Sequence, residues 1–571
     1  DYLWRRFISS PLVYYLEMNE VIATVIKDLF GLEVEIVLTR PDPKFGDFAS
    51  NVALQLGNKL SKNPREVAEM IAEALRETKK FSAVDVAGPG FINLRLSDET
   101  LWGLAKTPAS SINEGVNYVI EYSCPNAFKE LHTGHLYQTI FGDILARIME
   151  RSGAHVTRTS FGGDVGLHVA KCLWGMIAEL GGINPDKLAE VEESPFARAA
   201  WISRMYVKGA SAYEDDEQAK QEIDQLNVTI YGLHTAKDHE SALAQVYWTT
   251  RQWSYEYFDA FYDLIKVDHM RYYPESATAP TGMEVVAEQL QKGTLKESDG
   301  AVVFEGDESK HLHTRVFVTS KGLPTYETKD IGVIWQEKAD YNFDKRILIT
   351  GNDQAEYMRV VFAAAEIFRP ELTGNMTHLT NGTVRFGDGS KMSSRLGNVS
   401  RAADVIDLVR TKVRALVQDE SQIEAVTLGA IKYVFAKYRL GGDIAFDVEE
   451  TVSLNGNSGP YLQYAHARAR SILRKATKAA EYTQQLDENE RQLLRKLGEY
   501  HEVLERATRE LMTHHICAYL YELAQAFNRF YESSRIVGDE RESVRIGLVQ
   551  QYAATLADGL TILGIEAPEQ L

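Results

Sequence analysis

The stretch from residue 117 to residue 164 constrains the fold of this chain more firmly than any other. It begins with a short apolar run, NYVIEYS, and continues through a loop that contains Pro125 and Gly134. The run GHLYQTIFGDILARIMERSG follows with helical periodicity and stops at Gly153, and HVTRTSFGGD then reads as a second strand. Strand, glycine-containing loop, helix and strand in this order form a parallel β/α unit. The sequence therefore predicts an α/β domain with a parallel sheet.

The 571 residues are too many for one ordinary domain and suggest roughly three or four. Residues 1–115 mix short strands with helices, which predicts an α+β N-terminal domain. Residues 116–400 carry the β/α pattern, interrupted by a polar helical insertion at about 185–270. From 401 to 571 the helical periodicity is almost unbroken, which predicts an α-helical C-terminal bundle. The predicted fold class is therefore α/β and multidomain, with a parallel-sheet domain that contains an insertion.

Charge and composition narrow the class of protein. The formal net charge is −19, which makes nonspecific attraction of the whole molecule to polyanions unfavourable. One local exception is the run 461–480, which contains five Lys and Arg residues and no acid. From the residues alone this run is either a solvated helix surface or a face that binds nucleic acid.

The cysteines and the apolar runs indicate in which cellular compartment the protein is expected. Cys124, Cys172 and Cys517 lie far apart and form no CxxC pair, so neither a zinc knuckle nor a disulfide framework is indicated. Apolar runs such as 360–368 are much shorter than the roughly 18 residues that cross a bilayer. The N-terminal residues lack the apolar core of a secretory signal. We therefore expect a cytoplasmic protein without a membrane segment.

The string HTGH, His132 to His135, falls between a predicted strand and a predicted helix. A helix N-terminus presents free backbone N–H groups and the positive end of the helix dipole to a phosphate group. Two imidazoles at this point could donate to phosphoryl oxygens, and Gly134 would let a flat base approach the backbone. Two other interpretations stay open: a pair of surface histidines, or metal ligands, although the neighbouring sequence supplies no further ligand.

A second string, GDGSKMSSRLGN, runs from Gly387 to Asn398 at the end of the later strand-rich segment. A lysine on a mobile loop of glycine and serine, here Lys391, can follow a polyphosphate as charge builds on a leaving group. Alone, KMSS could be an ordinary exposed loop. Paired with HTGH on the two halves of a split β/α domain, it resembles the HIGH and KMSKS motifs of class I aminoacyl-tRNA synthetases.

Longer strings indicate which family. SCPNAFKELHTGHL is similar to the S-x-P-N-x-x-K-x-x-H-x-G-H-L motif of arginyl-tRNA synthetases. PDPKFGDFASNVALQL and VAGPGFINLRLS resemble that family's additional N-terminal domain. Tyr326 with KDIG resembles its Y-x-x-x-D motif, and GNSGPYLQYAHARARSIL resembles the start of its helical anticodon-binding domain. The resemblance spans the whole chain and implies a Rossmann-like catalytic domain.

The resemblance implies ligation of L-arginine to tRNA(Arg), in two steps through arginyl-adenylate, with release of AMP and pyrophosphate. The implied catalytic residues are His132 and His135 for the transition-state phosphate, and Lys391 with Lys129 for the departing pyrophosphate. The implied cofactor is ATP with Mg²⁺, and no protein-bound metal is expected. The implied ATP-binding residues are His132, Gly134, His135, Lys391, Met392 and Ser393.

The implied arginine site consists of positions that match the family's motifs. Guanidinium is a planar cation with five donors, so it requires buried acceptors in a fork. The matching residues are Glu275, Tyr326, Asp330 and Gln354, and by the same matching Asn126 is implied to hold the backbone end of the amino acid. Without the resemblance, Asp330 could be a helix N-cap, Glu275 a surface acid, and Asn126 part of an ordinary Pro-Asn turn.

The family uses its N-terminal domain on the tRNA D-loop and its C-terminal domain on the anticodon. The matching residues are Phe91 and Asn93 for the D-loop, and Tyr461, Tyr464 and Arg468 for the anticodon region. Aromatic and cationic side chains suit unpaired bases. The other interpretations are a buried strand for the first pair, and helix core with a solvated arginine for the second group.

The chain also departs from the family's pattern. Ser394 stands where the second lysine of KMSKS is usual, and Lys129, just upstream of HTGH, matches a lysine that can replace it. Tyr137 and Gln138 stand where the family has arginine and serine. Two competing hypotheses are another class I substrate and a non-catalytic RNA-binding paralogue, which would be expected to lose its histidines or loop lysine. The family's usual oligomeric state predicts a monomer.

Overall fold

The computed structural model describes residues 11–106, 111–268, 270–386, 401–482 and 485–571. The chain forms two compact units. One contains the chain up to Ile112 together with Ser453–Leu571, and the other contains Asn113–Val452. Lys391, Met392, Ser393 and Ser394 lie outside the described residues.

The strands are short and fall into an early, a central and a late group. They are β1 (Leu38–Thr39), β2 (Phe48–Ser50), β3 (Ala83–Ala87), β4 (Phe91–Arg95), β5 (Asn117–Glu121), β6 (His155–Gly162), β7 (Arg271–Pro274), β8 (Lys296–Ser298), β9 (Ala301–Phe304), β10 (Arg315–Val318), β11 (Lys345–Gly351), β12 (Met376–Asn381), β13 (Val384–Phe386) and β14 (Ile444–Phe446).

The α-helices make up most of the remaining regular structure. They are α1 (Pro11–Phe30), α2 (Val52–Leu60), α3 (Pro64–Glu77), α4 (Asp98–Lys106), α5 (Thr133–Arg151), α6 (Leu167–Leu180), α7 (Pro195–Asp215), α8 (Glu217–Ala236), α9 (Ala242–Leu264), α10 (Glu275–Gln291), α11 (Tyr326–Tyr341), α12 (Ala355–Phe368), α13 (Ala402–Leu416), α14 (Ile423–Ala436), α15 (Val448–Thr451), α16 (Gly459–Arg474), α17 (Glu488–Leu497), α18 (Tyr500–Glu510), α19 (His514–Ser533) and α20 (Glu542–Ile562).

The unit Asn113–Val452 is built on a parallel sheet. Within the described residues this sheet has five strands in the order β12-β11-β5-β6-β7, and each neighbouring pair is parallel. The chain extends from β5 to β6 and β7 on one side, and β11 and β12 are added on the other. The strand order therefore reverses between β5 and β11, and in such sheets ligands bind beyond the carboxyl ends of the strands at this point. The predicted fold class is confirmed.

Two insertions interrupt this sheet. Helices α6 to α9 lie between β6 and β7 and have their own apolar core, which includes Cys172, Trp201 and Tyr247. Strands β8, β9 and β10 form an antiparallel sheet between α10 and α11. The polar, tyrosine-rich segment that the sequence predicted as an insertion is thus helical and packed around an apolar core.

Helices α13 to α15 belong to the unit of the parallel sheet, although the sequence analysis placed the start of the C-terminal bundle at 401. Tyr137 of α5 is fully buried and stacks on Phe435 of α14, with ring centroids 5.5 Å apart. Burying two aromatic rings against each other fixes α14 on the unit of the parallel sheet. Helical periodicity alone does not distinguish these helices from those that follow.

The other unit joins the two ends of the chain. An antiparallel sheet in the order β1-β2-β4-β3 packs with α1 to α4, and α16 to α20 form the helical part. Arg491 of α17 donates to Asp47 over 2.6 Å, and Arg40 donates to Glu502 of α18 over 2.6 Å. These ion pairs connect the N-terminal sheet to the C-terminal helices within one compact body.

Candidate active site

Two adjoining cavities open at the point where the strand order reverses. The larger, of about 1070 Å³, is lined by HTGH, by the residues after β11 and by Asn381 at the end of β12. The smaller, of about 440 Å³, reaches inward to Glu275, Tyr326 and Asp330. Both are lined by Cys124, Asn126, Thr350 and Gln354. The site therefore has an outer and an inner compartment that meet at the ends of β5 and β11.

The loop after β5 is held in an unusual conformation. Ser123, Cys124 and Phe128 have φ values of 69°, 47° and 67°, in the left-handed region that non-glycine residues seldom adopt. Such backbone persists only where the surroundings enforce it, and it concentrates at functional sites. The enforcing hydroxyls come from the helical insertion: Ser254 accepts from Phe128 N over 3.1 Å, and Tyr257 accepts from Leu131 N over 3.2 Å.

His132 and His135 lie at the N-terminus of α5 and contact each other. His132 is the N-cap, and its Nδ1 accepts from His135 N over 3.3 Å, while His135 Nδ1 accepts from His132 N over 3.2 Å. Desolvation by the surrounding protein lowers the pKa of both imidazoles, further for His135. Because a neutral ring that accepts at Nδ1 carries its proton at Nε2, both rings offer an Nε2–H donor. This pair can bind a phosphoryl group beside the helix N-terminus.

Steric crowding also favours a glycine at position 134. A Cβ at this position would lie 2.8 Å from Cε1 of the His132 ring, which is closer than side-chain atoms approach. A larger residue would therefore displace the N-cap histidine. Gly134 also lines the outer compartment, where the sequence analysis expected the base of ATP to approach.

Metal ligation was an open interpretation of HTGH. Across the ranges that the structure describes, no group of three or more His, Cys, Asp and Glu side chains is placed to hold a metal ion. The two rings instead stack face to face, with centroids 3.7 Å apart. Their Nδ1 atoms accept from the backbone, so the helix start accounts for their arrangement without a metal.

The segment that contains KMSS is flanked by described residues at the site. Val384 and Arg385, just before it, line the outer compartment. Just after it, Ala402 N donates to Leu131 O over 2.8 Å, and Arg401 forms a bridge with His132. The described residues on either side of 387–400 therefore lie next to the outer compartment.

Lys129 is held by the helical insertion. Its Nζ lies 4.4 Å from the ring centroid of Tyr206 on α7, a cation–π contact. Its positive charge contributes to the lowered pKa of both His132 and His135. The charge of Lys129 therefore acts on the HTGH pair, and its predicted role at the departing pyrophosphate stays a prediction.

Asp330 forms the acidic end of the inner compartment. It lies in the second turn of α11, which begins at Tyr326, so the N-cap interpretation of Asp330 is excluded. The Tyr357 hydroxyl of α12 donates to Asp330 Oδ2. Burial raises the pKa of Asp330 to about 7, against the opposing effects of Tyr357 and Arg346. A half-buried carboxylate whose hydrogen-bond donor is neutral can accept a cationic side chain.

Glu275 is the first residue of α10 and is only 6% exposed, so it is not a surface acid. Its Oε2 accepts from Lys329 Nζ over 2.6 Å. Tyr326, which is 66% exposed, lies at the mouth of the same compartment, and Lys329 Nζ is 5.2 Å from its ring centroid. The structure thus brings Glu275, Tyr326 and Asp330 together around one cavity.

Asn126 and Gln354 stand between the two compartments. Asn126 Oδ1 accepts from Gly163 N over 2.8 Å, and Asn126 lines both compartments. This contact crosses from β5 to β6 and is more than a local Pro-Asn turn. Gln354 Nε2 donates to Asp353 Oδ2 over 2.9 Å at the end of β11. All five residues predicted for the arginine site therefore line the inner compartment.

Several further residues line or support this site although no sequence motif indicated them. Glu121 ends β5 and lines the inner compartment, where it accepts from the buried Arg346. Tyr357 contacts Asp330, and Gln138 lies 3.0 Å from Asn381 in the outer compartment. A strand-terminal acid such as Glu121 carries a positional signal, because ligands bind beyond strand ends. Tyr357 carries none, since only the fold brings α12 to α11.

The residues predicted to contact tRNA lie in the other unit. Phe91 is 40% exposed on β4, whereas Asn93 of the same strand is buried. On α16, Tyr464 is 47% exposed, and Arg468 lies over the ring of Tyr531 at 4.1 Å. Their roles stay predictions.

Tyr461 and the basic run show how α16 is packed. The Tyr461 hydroxyl accepts from Asn528 over 2.8 Å, so that side chain is half-buried against α19. Arg470 Nε donates to Glu569 over 2.8 Å, and Arg474 donates to the carbonyl of Glu569 over 3.0 Å. Part of the run 461–480 is thus neutralised by a following acid.

Comparisons with known proteins identify the family of this chain. The profile of class I tRNA synthetase (R) catalytic domains matches residues 103–441, the arginyl-tRNA synthetase N-terminal domain matches 16–96, and the DALR anticodon-binding domain matches 462–571. HTGH lies where the strand order of the parallel sheet reverses. Together with the match to the catalytic-domain profile, this arrangement defines a class I aminoacyl-tRNA synthetase. The chain belongs to the arginyl-tRNA synthetase family.

Individual relatives match this chain over more than nine-tenths of its length. The arginine–tRNA ligase of Bdellovibrio bacteriovorus is 29% identical over 97% of this chain and 98% of its own. That of Thermobifida fusca is 31% identical over 92% and 94%. The structure of Thermus thermophilus arginyl-tRNA synthetase superposes with a TM-score of 0.78, at 25% identity, over 97% of this chain and 99% of that one. The predicted family is confirmed.

One further finding concerns membranes. In the part of the chain that the structure describes, no helix combines the length and the apolar character that a bilayer crossing requires.

Proposed function

We propose that this protein attaches L-arginine to tRNA(Arg) in an ATP-dependent reaction that proceeds through arginyl-adenylate. The observation that carries the proposal is the pairing of two compartments. A histidine pair at a helix N-terminus lines the outer one, and a half-buried acid, Asp330, lines the inner one. The outer compartment suits a phosphate chain and the inner one a long cationic side chain.

In the first step, a carboxylate oxygen of arginine attacks the α-phosphorus of ATP, and the bond to the β-phosphate oxygen breaks. Nε2–H groups of His132 and His135 donate to the α-phosphate oxygens, where negative charge develops. Lys129 and Lys391 balance the charge of the departing pyrophosphate, with Met392 and Ser393 beside the ATP. Magnesium enters as the Mg²⁺ complex of ATP, which is the substrate.

The inner compartment orients arginine for this attack. The guanidinium pairs with Asp330, whose carboxylate Tyr357 holds in place, while Glu275 and Tyr326 complete the wall. Asn126 and Gln354, at the junction of the compartments, hold the backbone end of the amino acid. Placing the reacting carboxylate next to the HTGH pair lowers the entropic part of the barrier.

In the second step, the 2′-hydroxyl of the terminal adenosine of tRNA attacks the activated carbonyl, and AMP leaves with the phosphate oxygen. We assign D-loop contacts to Phe91 and Asn93 of the N-terminal domain. We assign anticodon contacts to Tyr461, Tyr464 and Arg468 of α16, in the region that matches the DALR domain. An exposed tyrosine and an arginine stacked on a second tyrosine can take unpaired bases.

We further propose that the protein is a cytoplasmic monomer, as the family resemblance suggests. Light scattering coupled to gel filtration tests the monomer, for which one mass near 64.2 kDa is expected. A non-catalytic paralogue is the weaker alternative, because the histidine pair is intact and its rings are arranged to donate. Aminoacylation of total tRNA with labelled arginine tests the proposed function, and a lack of any charged tRNA would contradict it.

A further inference from the structure

Asp164 is a fully buried carboxylate that the reaction described above does not use. It follows β6, directly after Gly163, and has no exposed surface. Its Oδ1 accepts from Ser276 N over 2.9 Å, and its Oδ2 accepts from Ser276 Oγ over 2.6 Å and from Arg251 Nε over 2.8 Å. A buried charge with three donors is compensated; two of these donors belong to Ser276 and the third to Arg251 of the helical insertion.

Asp164 caps the helix that presents Glu275. Helix α10 starts at Glu275, and its own N-cap, Pro274, has no side chain that can accept a hydrogen bond. The first N–H groups of a helix need acceptors, and a carboxylate also favours the positive end of the helix dipole. Asp164 supplies that acceptor from another segment of the chain. The position of Glu275 in the inner compartment therefore depends on a residue 111 places earlier, since 275 − 164 = 111.

The segment of Asp164 also fixes the other side of the amino acid site. Gly163 N donates to Asn126 Oδ1 over 2.8 Å, and Gly163 O accepts from Ala127 N over 2.9 Å. One two-residue segment thus holds Asn126 through its backbone and Glu275 through the Asp164 side chain. A shift of this segment would move both residues relative to each other.

The helical insertion completes the arrangement. Arg251 of α9 reaches Asp164, and the Tyr247 hydroxyl of the same helix donates to Asp164 O over 2.9 Å. The guanidinium carbon of Arg251 lies 4.9 Å from the ring centroid of Tyr255, which limits its movement. The insertion therefore holds Asp164 at both its carboxylate and its backbone.

We infer that Asp164 is a positioning residue for arginine binding, which fixes Glu275 and couples the helical insertion to the amino acid site. The inference rests on the proposed function and deepens it. Asp164 does not touch the substrate in this account. Its loss should weaken the binding of arginine and leave the binding of ATP, which uses the outer compartment, almost unchanged.

The test compares Asp164→Asn with a matched control, Asp143→Asn. Asp143 is also a buried aspartate, and it accepts from Arg147 Nε over 2.7 Å in helix α5, but it lines neither compartment. ATP–pyrophosphate exchange with tRNA present gives the KM for arginine, the KM for ATP and kcat. For Asp164→Asn we expect the KM for arginine to rise about tenfold or more, as for one lost charge-assisted hydrogen bond, with the KM for ATP within about twofold.

Further variants keep the test decisive. Ser276→Ala removes one hydrogen bond and should raise the KM for arginine by about threefold without unfolding the protein. If Asp164→Asn does not fold, the KM of Ser276→Ala for arginine tests the inference in its place. Equal changes in Asp164→Asn and Asp143→Asn, or a parental KM for arginine in Ser276→Ala, would overturn the inference. Absence of arginine-dependent exchange in the parent protein would instead contradict the proposed function.

Discussion

Lys329 Nζ lies 2.6 Å from Glu275 Oε2, so one acid of the compartment proposed for a cationic substrate is already paired with a cation. Both side chains are almost fully buried. Burial lowers the pKa of Lys329, but the Glu275 carboxylate outweighs this effect and raises it above the ordinary value. Lys329 therefore stays protonated and neutralises Glu275. Among the described residues that line this cavity, Asp330 is then the carboxylate that has no cationic side chain in direct contact.

Lys329→Met should destabilise the protein, because it leaves Glu275 buried without its counterion. Breaking a buried ion pair from one side costs about 3 kcal/mol or more, whereas removing both charges costs much less. The double variant Lys329→Met with Glu275→Gln should therefore be more stable than Lys329→Met alone. Urea unfolding of the parent, both single variants and the double variant measures this coupling. Strictly additive losses would show that the pair contributes nothing beyond its separate residues.

The affinity for arginine should depend on pH through Asp330. Burial raises the pKa of this carboxyl to about 7 in the empty site, so it is largely protonated at pH 6 and ionised at pH 8. A guanidinium pairs with the ionised form, and the KM for arginine should fall as the pH rises through about 7. Asp330→Asn should remove this dependence and raise the KM at every pH. A parent KM that is flat between pH 6 and 8 would contradict the assignment.

Stability gives a second measure of the same group. A carboxyl whose pKa is raised on folding contributes stability that is fully present below its unfolded pKa of about 4 and is lost as the pH rises through about 7. Asp330→Asn should therefore increase the melting temperature of the empty protein more at pH 8 than at pH 5. The opposite order would mean that Asp330 is ionised and well compensated without substrate.

His132→Ala and His135→Ala should each slow arginine-dependent pyrophosphate exchange by about 10²–10³, the usual loss when one donor to a developing charge is removed. His155 is an exposed histidine at the start of β6 and serves as the control, since His155→Ala should leave the rate unchanged. Exchange at the parent rate in either of the first two variants would remove that histidine from the catalytic assignment.

Lys129→Ala should slow adenylate formation by about 10²-fold, because Ser394 stands where a second loop lysine is usual. The matched control is Lys171→Ala. Lys171 makes the same kind of contact on the insertion, with its Nζ 4.1 Å from the ring of Tyr213, but it lines neither compartment. Single-turnover formation of adenylate separates the two variants. A Lys129→Ala rate within about twofold of the parent would leave Lys391 as the lysine that acts on pyrophosphate.

Residues that belong to contiguous motifs could be predicted from the sequence, and residues that act across the fold could not. His132, Gly134 and Asp330 are found from local strings, because a strand end or a helix start fixes their place. Tyr357 and Asp164 hold Asp330 and Ser276 from other segments, and no local spacing connects them. Only the sheet order and the insertion bring these partners within hydrogen-bond distance.

The boundary of the catalytic unit could not be predicted from the sequence either. Helical periodicity after residue 401 predicts helices correctly, but it does not say which body they pack on. The stacking of Tyr137 on Phe435 decides this for α14. Tyr137 stands where the family has arginine, so this departure from the motif serves packing: it fills the core between α5 and α14.

The most direct test of the account is ATP–pyrophosphate exchange with each of the twenty amino acids and with citrulline, with and without tRNA. Citrulline has nearly the shape of arginine but no charge, and it would leave Asp330 buried without a cation. Sites that require such pairing discriminate by about 10⁴ or more. We predict exchange with arginine alone, and with lysine and citrulline lower by at least that factor. Comparable exchange with arginine and citrulline, or faster exchange with another amino acid, would contradict the arginine assignment and the residue roles that depend on it.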